Sequence, residues 1–232
     1  MNVLVLDVGG THVKMLVTGA TEKRKFVSGA KLVPAEVVSQ VKVLAADWSY
    51  EAVAIGYPGV VLHDRIVAEP HNLGTGWLGF DFEKAFGKPV KVVNDAAMQA
   101  LGSYNGGRML FLGLGTGLGS AMIVDGDLQP MELAHLPYRK GRTYEEEVGL
   151  AGLDRMGKKK WRTHVADVIE TLRAALQVDE VVVGGGNAAF LKELPPNTRL
   201  GANTNAFLGG FRLWGETPQG AAVTDPAQPK KV

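Results

Sequence analysis

The sequence predicts an α/β protein built from two related lobes. Three observations carry that reading: two glycine-rich turns clamped between apolar strand-like runs, an Asn94-Asp95 pair leading into a helix between them, and an ordinary globular composition. The turns are Asp7-Val8-Gly9-Gly10-Thr11-His12-Val13-Lys14 and Gly113-Leu114-Gly115-Thr116-Gly117-Leu118-Gly119. Glycine lets backbone N–H groups approach and cup a phosphate where a side chain would block them. Repetition of strand, Gly-Thr turn and strand in both halves suggests two lobes facing one nucleotide.

In chain order, strands are expected over 2–7 and 12–18, where the runs are short and apolar, and over 24–28, with a helix over 34–46. Asp7 closes the first strand. A carboxylate facing a phosphate-lined turn suits Mg²⁺, directly or through water, because Mg²⁺ takes few protein oxygens and keeps several waters. Gly9, Gly10, Thr11 and Lys14 complete the first set of phosphate-binding candidates. The same residues also suit a plain hairpin without a ligand. A strand over 52–55 runs into Gly56-Tyr57-Pro58-Gly59; a short helix over 81–86 and a strand over 90–93 follow.

Asn94-Asp95 then sits between that strand and the helix-forming Ala96-Ala97-Met98-Gln99-Ala100-Leu101, a position where capping alone accounts for an aspartate. A kinase acting on an alcohol also needs a carboxylate to accept the hydroxyl proton, so Asp95 is the candidate base. Strands over 108–115 and 118–125 enclose the second turn, whose candidates are Gly115, Thr116 and Gly117. Leu118 and Ser120 stand where a dinucleotide fingerprint would place its last glycine, so that reading is poor.

Helices over 143–156 and 161–176 precede a strand over 180–184, the Gly184-Gly185-Gly186 cluster and a helix from Asn187. Bare backbone at a strand's carboxyl end suits an adenine or ribose, and equally suits close packing. The segment Gly152-Leu153-Asp154-Arg155-Met156-Gly157-Lys158-Lys159 imitates a Walker A loop. Lys159 occupies the Ser/Thr position, however, and no apolar strand precedes it, so it is rejected. Trp161, at helical spacing from Val165 and Val168, reads as core.

Asp7-Val-Gly-Gly-Thr, Gly56-Tyr-Pro-Gly59, Asn94-Asp95-Ala96, Gly115-Thr-Gly-Leu-Gly119, Glu132-Leu-Ala-His135 and Gly184-Gly-Gly186 occur in the order found in ROK-family sugar kinases. The chain resembles most their short glucokinase branch, which includes the polyphosphate glucokinases, from Met1 to about Trp214. That resemblance implies a two-lobed actin-like (ribonuclease H-like) ATPase fold with its active site in the interlobe cleft. It implies glucokinase activity, with ATP or polyphosphate as donor, Mg²⁺ as cofactor and Asp95 as base for the sugar's 6-hydroxyl. Asn94, Glu132 and His135 would bond other hydroxyls of the hexose, and Pro58 and Gly59 would shape its pocket. A further sugar-binding glutamate is expected, and Glu145 is the candidate within Tyr144-Glu145-Glu146-Glu147.

Two departures stand out. Most ROK kinases carry a cysteine-rich zinc motif beyond the histidine matching His135; this chain has no cysteine, so no zinc is expected. Ala134 stands where the family usually has glycine. The family also includes sugar-responsive regulators with a DNA-binding segment ahead of the first phosphate motif; Met1 lies immediately before the first strand, which counts against that alternative and against a signal peptide. A sugar-binding pseudokinase is the remaining alternative, and the intact Asp7, Asp95 and both turns argue against it.

The expected division is 1–103 for the first lobe and 104–204 for the second. Residues 205–214 form a helix crossing back, and 215–232 a polar, Pro-bearing flexible tail. The 232 residues are 46% apolar and 21% charged, with a net charge of +1. That balance gives no pull toward nucleic acid or a membrane, and the apolar runs are too short to span a bilayer. The absence of cysteine permits a cytoplasmic setting. Dimerisation is common in the family, and the sequence shows no isolated interface signature. Arg139, Lys140 and Arg142, with Arg155, Lys158, Lys159, Lys160 and Arg162, form a basic stretch that reads as solvated surface or as a track for polyphosphate.

Overall fold

One strand plan occurs twice. The computed structural model describes residues 1–202 and 204–216, and its internal contacts divide into two units: Met1–Val93 with the chain from Gly210, and Asn94–Gly209. In the first unit, β1 (Val3–Val8), β2 (His12–Val17) and β3 (Arg24–Val27) form an antiparallel meander. Helix α1 (Pro34–Leu44) follows, and β4 (Ala52–Tyr57) returns parallel to β1. A two-residue hairpin, β5 (Val61–Leu62) and β6 (Arg65–Ile66), precedes α2 (Phe82–Phe86) and β7 (Val90–Asn94), and the sheet order is β3-β2-β1-β4-β7.

Strand periodicity explains the core. Leu4, Leu6 and Val8 share one face of β1 and pack with Val13, Met15, Val37, Val41, Ile55 and Tyr57. Pro34 opens α1, where its missing N–H costs no hydrogen bond, and Val37, Val38 and Val41 supply the buried stripe. Val5, on the opposite face of β1, lies against Gly210, where any side chain would overlap it. Lys91 and Trp214 fix the returning segment: Lys91 Nζ donates to the Leu213 carbonyl at 2.8 Å, and Trp214 Nε1 to the Val53 carbonyl at 3.2 Å.

The second unit opens with α3 (Asp95–Ser103), then β8 (Arg108–Leu114), β9 (Leu118–Val124) and β10 (Asp127–Met131), again an antiparallel meander. Helices α4 (Tyr144–Val148) and α5 (Leu150–Leu176) lead to β11 (Glu180–Gly184), parallel to β8. A 3₁₀ turn (Gly186–Phe190), β12 (Thr198–Leu200) and α6 (Asn205–Arg212) follow, and the order β10-β9-β8-β11-β12 repeats that of the first sheet. Helices α3 and α6 approach at two glycines. A methyl on Gly102 would run into the Asn205 carbonyl, and one on Gly209 into the Met98 carbonyl.

Several expectations need correction. The division falls at Val93/Asn94 and Gly209/Gly210 rather than after Ser103 and 204. Helix α3 packs Ala96, Ala97 and Ala100 onto Phe111 and Ala121 of the second sheet, so it belongs there. The helix expected from Asn187 is one 3₁₀ turn that ends in extended backbone at Leu191. The two helices over 143–156 and 161–176 break instead at Gly149, with α5 kinked at Gly157 (φ 71°). Gly149 leaves no room for a side chain between the Glu145 and Thr116 carbonyls. β10 contains Pro130, which reads against a strand; it is the edge of its sheet, where a missing donor is tolerated. Of the expected tail, Gly215 and Glu216 are bonded to the first unit, Glu216 to the Met1 ammonium at 2.9 Å, and 217–232 lies outside the described residues. No helix among the described residues is long and apolar enough to cross a membrane.

Candidate active site

Three consecutive residues of β9 tie together the elements that carry the second unit's candidates. The Leu118 N–H donates to Glu145 Oε2 at 3.2 Å, which joins β9 to α4. Gly119 abuts Ala96, the neighbour of Asp95 in α3: a methyl there would stand 2.9 Å from the Ala96 Cβ. Ser120 Oγ donates to the Met131 carbonyl at 3.0 Å and accepts the Leu133 N–H at 3.1 Å, gripping the backbone on both sides of Glu132. Ser120 is 4% exposed, and sequence reasoning missed it. A lone serine inside the apolar run 118–124, directly after a glycine turn, was the available signal.

Within that frame, Asn94 is the N-cap of α3. Its Oδ1 accepts the Ala96 and Ala97 N–H groups at 2.9 and 3.2 Å. Asp95 is therefore the first helical residue rather than the cap, and its Oδ1 accepts the Ala96 N–H at 2.8 Å. An acid in the first turn complements the helix dipole. Glu132 and His135 are exposed, with Oε1 and Nε2 4.0 Å apart.

The run of three glutamates divides into three jobs. Glu145 reaches the second turn, and a methyl on Gly117 would collide with its carboxylate. Glu146 completes a capping box with Thr143. Glu147 is buried, with Arg142 and Arg155 each 3.1 Å from Oε1. Burial opposes its charge, yet the two guanidiniums hold its carboxyl below the usual range.

The second turn is closed by its own bond, Gly115 N–H to the Gly117 carbonyl at 3.1 Å. It is further held by Leu150 N–H on the Thr116 carbonyl and Asn187 Nδ2 on the Gly115 carbonyl. Gly184 and Gly185 are close-packing positions: a methyl on Gly184 would meet the Phe111 ring at 2.7 Å, and Gly185, at φ 83°, lies against Leu114 backbone. Gly186 faces open space.

In the first unit, cross-strand register puts Asp7 opposite Lys14, and Lys14 Nζ lies 3.2 Å from Asp7 Oδ2. The turn is fixed by Gly9 N–H on the His12 carbonyl and by Ser28, whose Oγ donates to the Gly9 carbonyl at 2.6 Å. Thr11 and Gly10 are exposed, and Gly10 faces Asn72, whose Cβ would lie 3.3 Å from a methyl there. Asn72 and Ser28 are contributions that sequence reasoning did not single out. Pro58 and Gly59 follow β4 directly. The buried Tyr57 ring fills the side of Gly59 where a Cβ would stand, and its hydroxyl donates to the Ala68 carbonyl at 2.8 Å.

Among the described residues, no cluster of three or more His, Cys, Asp or Glu is placed to hold a metal. The single Asp7 carboxylate at a phosphate-type turn still fits Mg²⁺, which takes one or two protein oxygens and fills its shell from phosphate and water. A cavity of about 780 Å³ in the first unit is walled by Trp77, Phe80, Phe82, Arg65 and Val90, and none of the predicted site residues lines it.

A family model described as "ROK family" matches residues 3–130. The polyphosphate glucokinase of Mycobacterium tuberculosis (strain H37Rv) is 28% identical, covering 78% of this chain and 76% of that protein. A solved structure of inorganic polyphosphate/ATP-glucomannokinase from Arthrobacter sp. strain KM superposes with a TM-score of 0.78 at 24% identity, over 92% of this chain and 98% of that one. A ROK family glucokinase from Streptomyces griseus, solved with glucose and AMPPNP, gives 0.68 at 17% identity, over 92% and 99%. The fold shared with these structures is the α/β, two-lobed actin-like ATPase fold.

Proposed function

The chain belongs to the ROK family, and we propose that this phosphotransferase moves a phosphoryl group from ATP or polyphosphate to the 6-hydroxyl of glucose. The observation that carries the reading is the Leu118-Gly119-Ser120 run, which anchors a carboxylate-bearing helix start, a Glu/His pair and a second carboxylate around one glycine turn. A chain that only bound sugar would have no use for a base at that helix start.

Asp95 accepts the 6-hydroxyl proton as the oxygen attacks phosphorus, and the bond to the donor's bridging oxygen breaks as the new one forms. Asn94, Glu132, His135 and Glu145 orient the hexose by its remaining hydroxyls, with Pro58 and Gly59 shaping the pocket. Amides and hydroxyls of the Gly9-Gly10-Thr11 and Gly115-Thr116-Gly117 turns, with Lys14, hold the donor's phosphates. Gly184, Gly185 and Gly186 form the nucleotide edge. Asp7 would hold Mg²⁺, directly or through water, and the ion would supply neutralisation of phosphate charge.

The test is a coupled assay of purified protein against glucose, mannose and N-acetylmannosamine, each with ATP and with polyphosphate. Glucose 6-phosphate formation with at least one donor is expected. Turnover restricted to another sugar, or none with either donor, refutes the assignment.

A further inference from the structure

Between His135 and Glu145 the chain makes a loop whose ends are zipped together. Glu145 N–H donates to the Ala134 carbonyl and Tyr144 N–H to the Leu136 carbonyl, both at 3.0 Å, and Pro137 bridges Thr143. Tyr138 N–H donates to the Arg142 carbonyl at 2.7 Å. Backbone bonds alone would leave this hairpin hinged at its base, since small two-stranded hairpins are marginally stable in water.

Side chains dock it onto α5. Tyr138 donates its hydroxyl to Asp167 Oδ2 at 2.6 Å, and His164 Nδ1 lies 3.1 Å from the Tyr138 hydroxyl oxygen. A carboxylate only accepts, so the Tyr138 proton goes to Asp167, and the hydroxyl oxygen is left to accept from His164. His164 must then carry a proton on Nδ1. Burial and the Asp167 carboxylate both push the Tyr138 hydroxyl's titration up, which keeps it a donor. The rings reinforce the dock: Tyr138 packs edge-on to His164 at 5.7 Å and tilted to Tyr144 at 5.4 Å. Arg139 pairs with Asp167 at 3.1 Å.

We infer that Tyr138, held by Asp167 and His164, is a positioning residue that sets His135 and Glu145 for the hexose. The inference rests on the proposed function for what those two residues contact. The loop is the covalent link between them, and Tyr138 is its docked side chain near the tip. Freeing the loop loosens the acceptor's ligands and leaves Asp95 in place, because α3 packs on β9 through Ala96 and Gly119, while the second turn keeps its bonds to Leu150 and Asn187.

The experiment compares Tyr138→Phe, Asp167→Ala and Asp167→Asn in full-length protein, with hydrogen exchange of the Tyr144 and Glu145 amides measured beside steady-state kinetics. Tyr138→Phe and Asp167→Ala should each speed exchange and raise the hexose KM about tenfold, the factor matching loss of roughly 1.4 kcal/mol from a charge-assisted hydrogen bond. Donor KM should stay unchanged and kcat within about twofold. Asp167→Asn, which still accepts from Tyr138, should restore both readouts most of the way. Unchanged exchange in Tyr138→Phe overturns the clamp; faster exchange with an unchanged hexose KM overturns the positioning role. If the unsubstituted protein phosphorylates no hexose, the proposed function fails, and the positioning role with it; the exchange data then identify a clamp of structural use only.

Discussion

Gly119 and Ala96 touch so closely that a methyl group added to Gly119 would stand 2.9 Å from the Ala96 Cβ. The contact sets how deep the start of α3, and so Asp95, sits against β9. Gly119→Ala is expected to displace that helix start and lower kcat roughly tenfold, the rate equivalent of about 1.4 kcal/mol. Removing the opposing methyl should relieve it: Ala96→Gly combined with Gly119→Ala should recover most of kcat. A double variant as slow as the single one would break the link between this contact and the base.

Asp95→Asn keeps the side chain's shape and the Ala96 N–H contact while removing the proton acceptor. Turnover should fall by roughly 10²–10⁴-fold. Hexose binding, measured by calorimetry, should stay within about threefold, because the exchange removes the carboxylate charge but leaves the hydroxyl contacts of the other residues in place. Retained turnover would remove Asp95 from the chemistry.

Gly102→Ala addresses packing instead of chemistry. The methyl would meet the Asn205 carbonyl, which is backbone and has no rotamer to yield. The expected loss is about 1–3 kcal/mol, visible as a lowered Tm in differential scanning calorimetry. An unchanged Tm would mean that α3 and α6 are not in contact there.

Glu147 gives a pH dependence with a fixed sign. Despite burial, Arg142 and Arg155 depress its carboxyl in the folded protein. Its contribution to stability is therefore present above the unfolded carboxyl's range and disappears as pH falls through the lower folded value. Glu147→Gln should cost about 1–3 kcal/mol at pH 7, less than breaking a fully buried pair, because the guanidiniums are 42% and 36% exposed. The variant should also flatten the acid limb of Tm against pH; an acid limb as steep as before would exclude Glu147 from it.

The basic stretch narrows under inspection. Arg142 and Arg155 serve Glu147, Arg139 serves Asp167, Lys158 lies 4.0 Å over the Phe190 ring, and Arg162 donates to the Phe190 carbonyl at 2.6 Å. Lys140 remains as an exposed charge on the loop, and so do two neighbours on α5, Lys159 and Lys160. Replacing both with alanine should raise the polyphosphate KM a few-fold, with a shallower salt dependence, and leave the ATP KM unchanged. Equal effects on both donors would end the polyphosphate-track reading.

What the sequence revealed follows from where the signal is local. The strand–turn–strand repeats are periodic and punctuated by glycine, so the three strands of the first meander, the β8–β9 pair and the strands β4 and β11 were legible. β10 was not, because Pro130 masks a strand that only an edge position permits. The three glutamates were inseparable as a string; only the fold sends Glu145 to Leu118, Glu146 to Thr143 and Glu147 to two arginines. Ser120, Asn72 and Tyr138 escaped notice for the same reason, since their partners lie far along the chain or on another element. Gly184 and Gly185 illustrate the opposite case: a motif suggesting a ligand also meets a packing requirement against Phe111 and Leu114.

Trp161 lies between Lys160 and Arg162 of that charged stretch and is fully buried, its indole donating to the Val148 carbonyl at 2.8 Å. The other three tryptophans, Trp48, Trp77 and Trp214, all belong to the first unit. The protein thus carries a native optical probe for one half of itself. With the other three indoles changed to phenylalanine, emission would report melting of the α4–α5 junction alone, and any shift on adding sugar would be read at the end of the helix that carries Glu145.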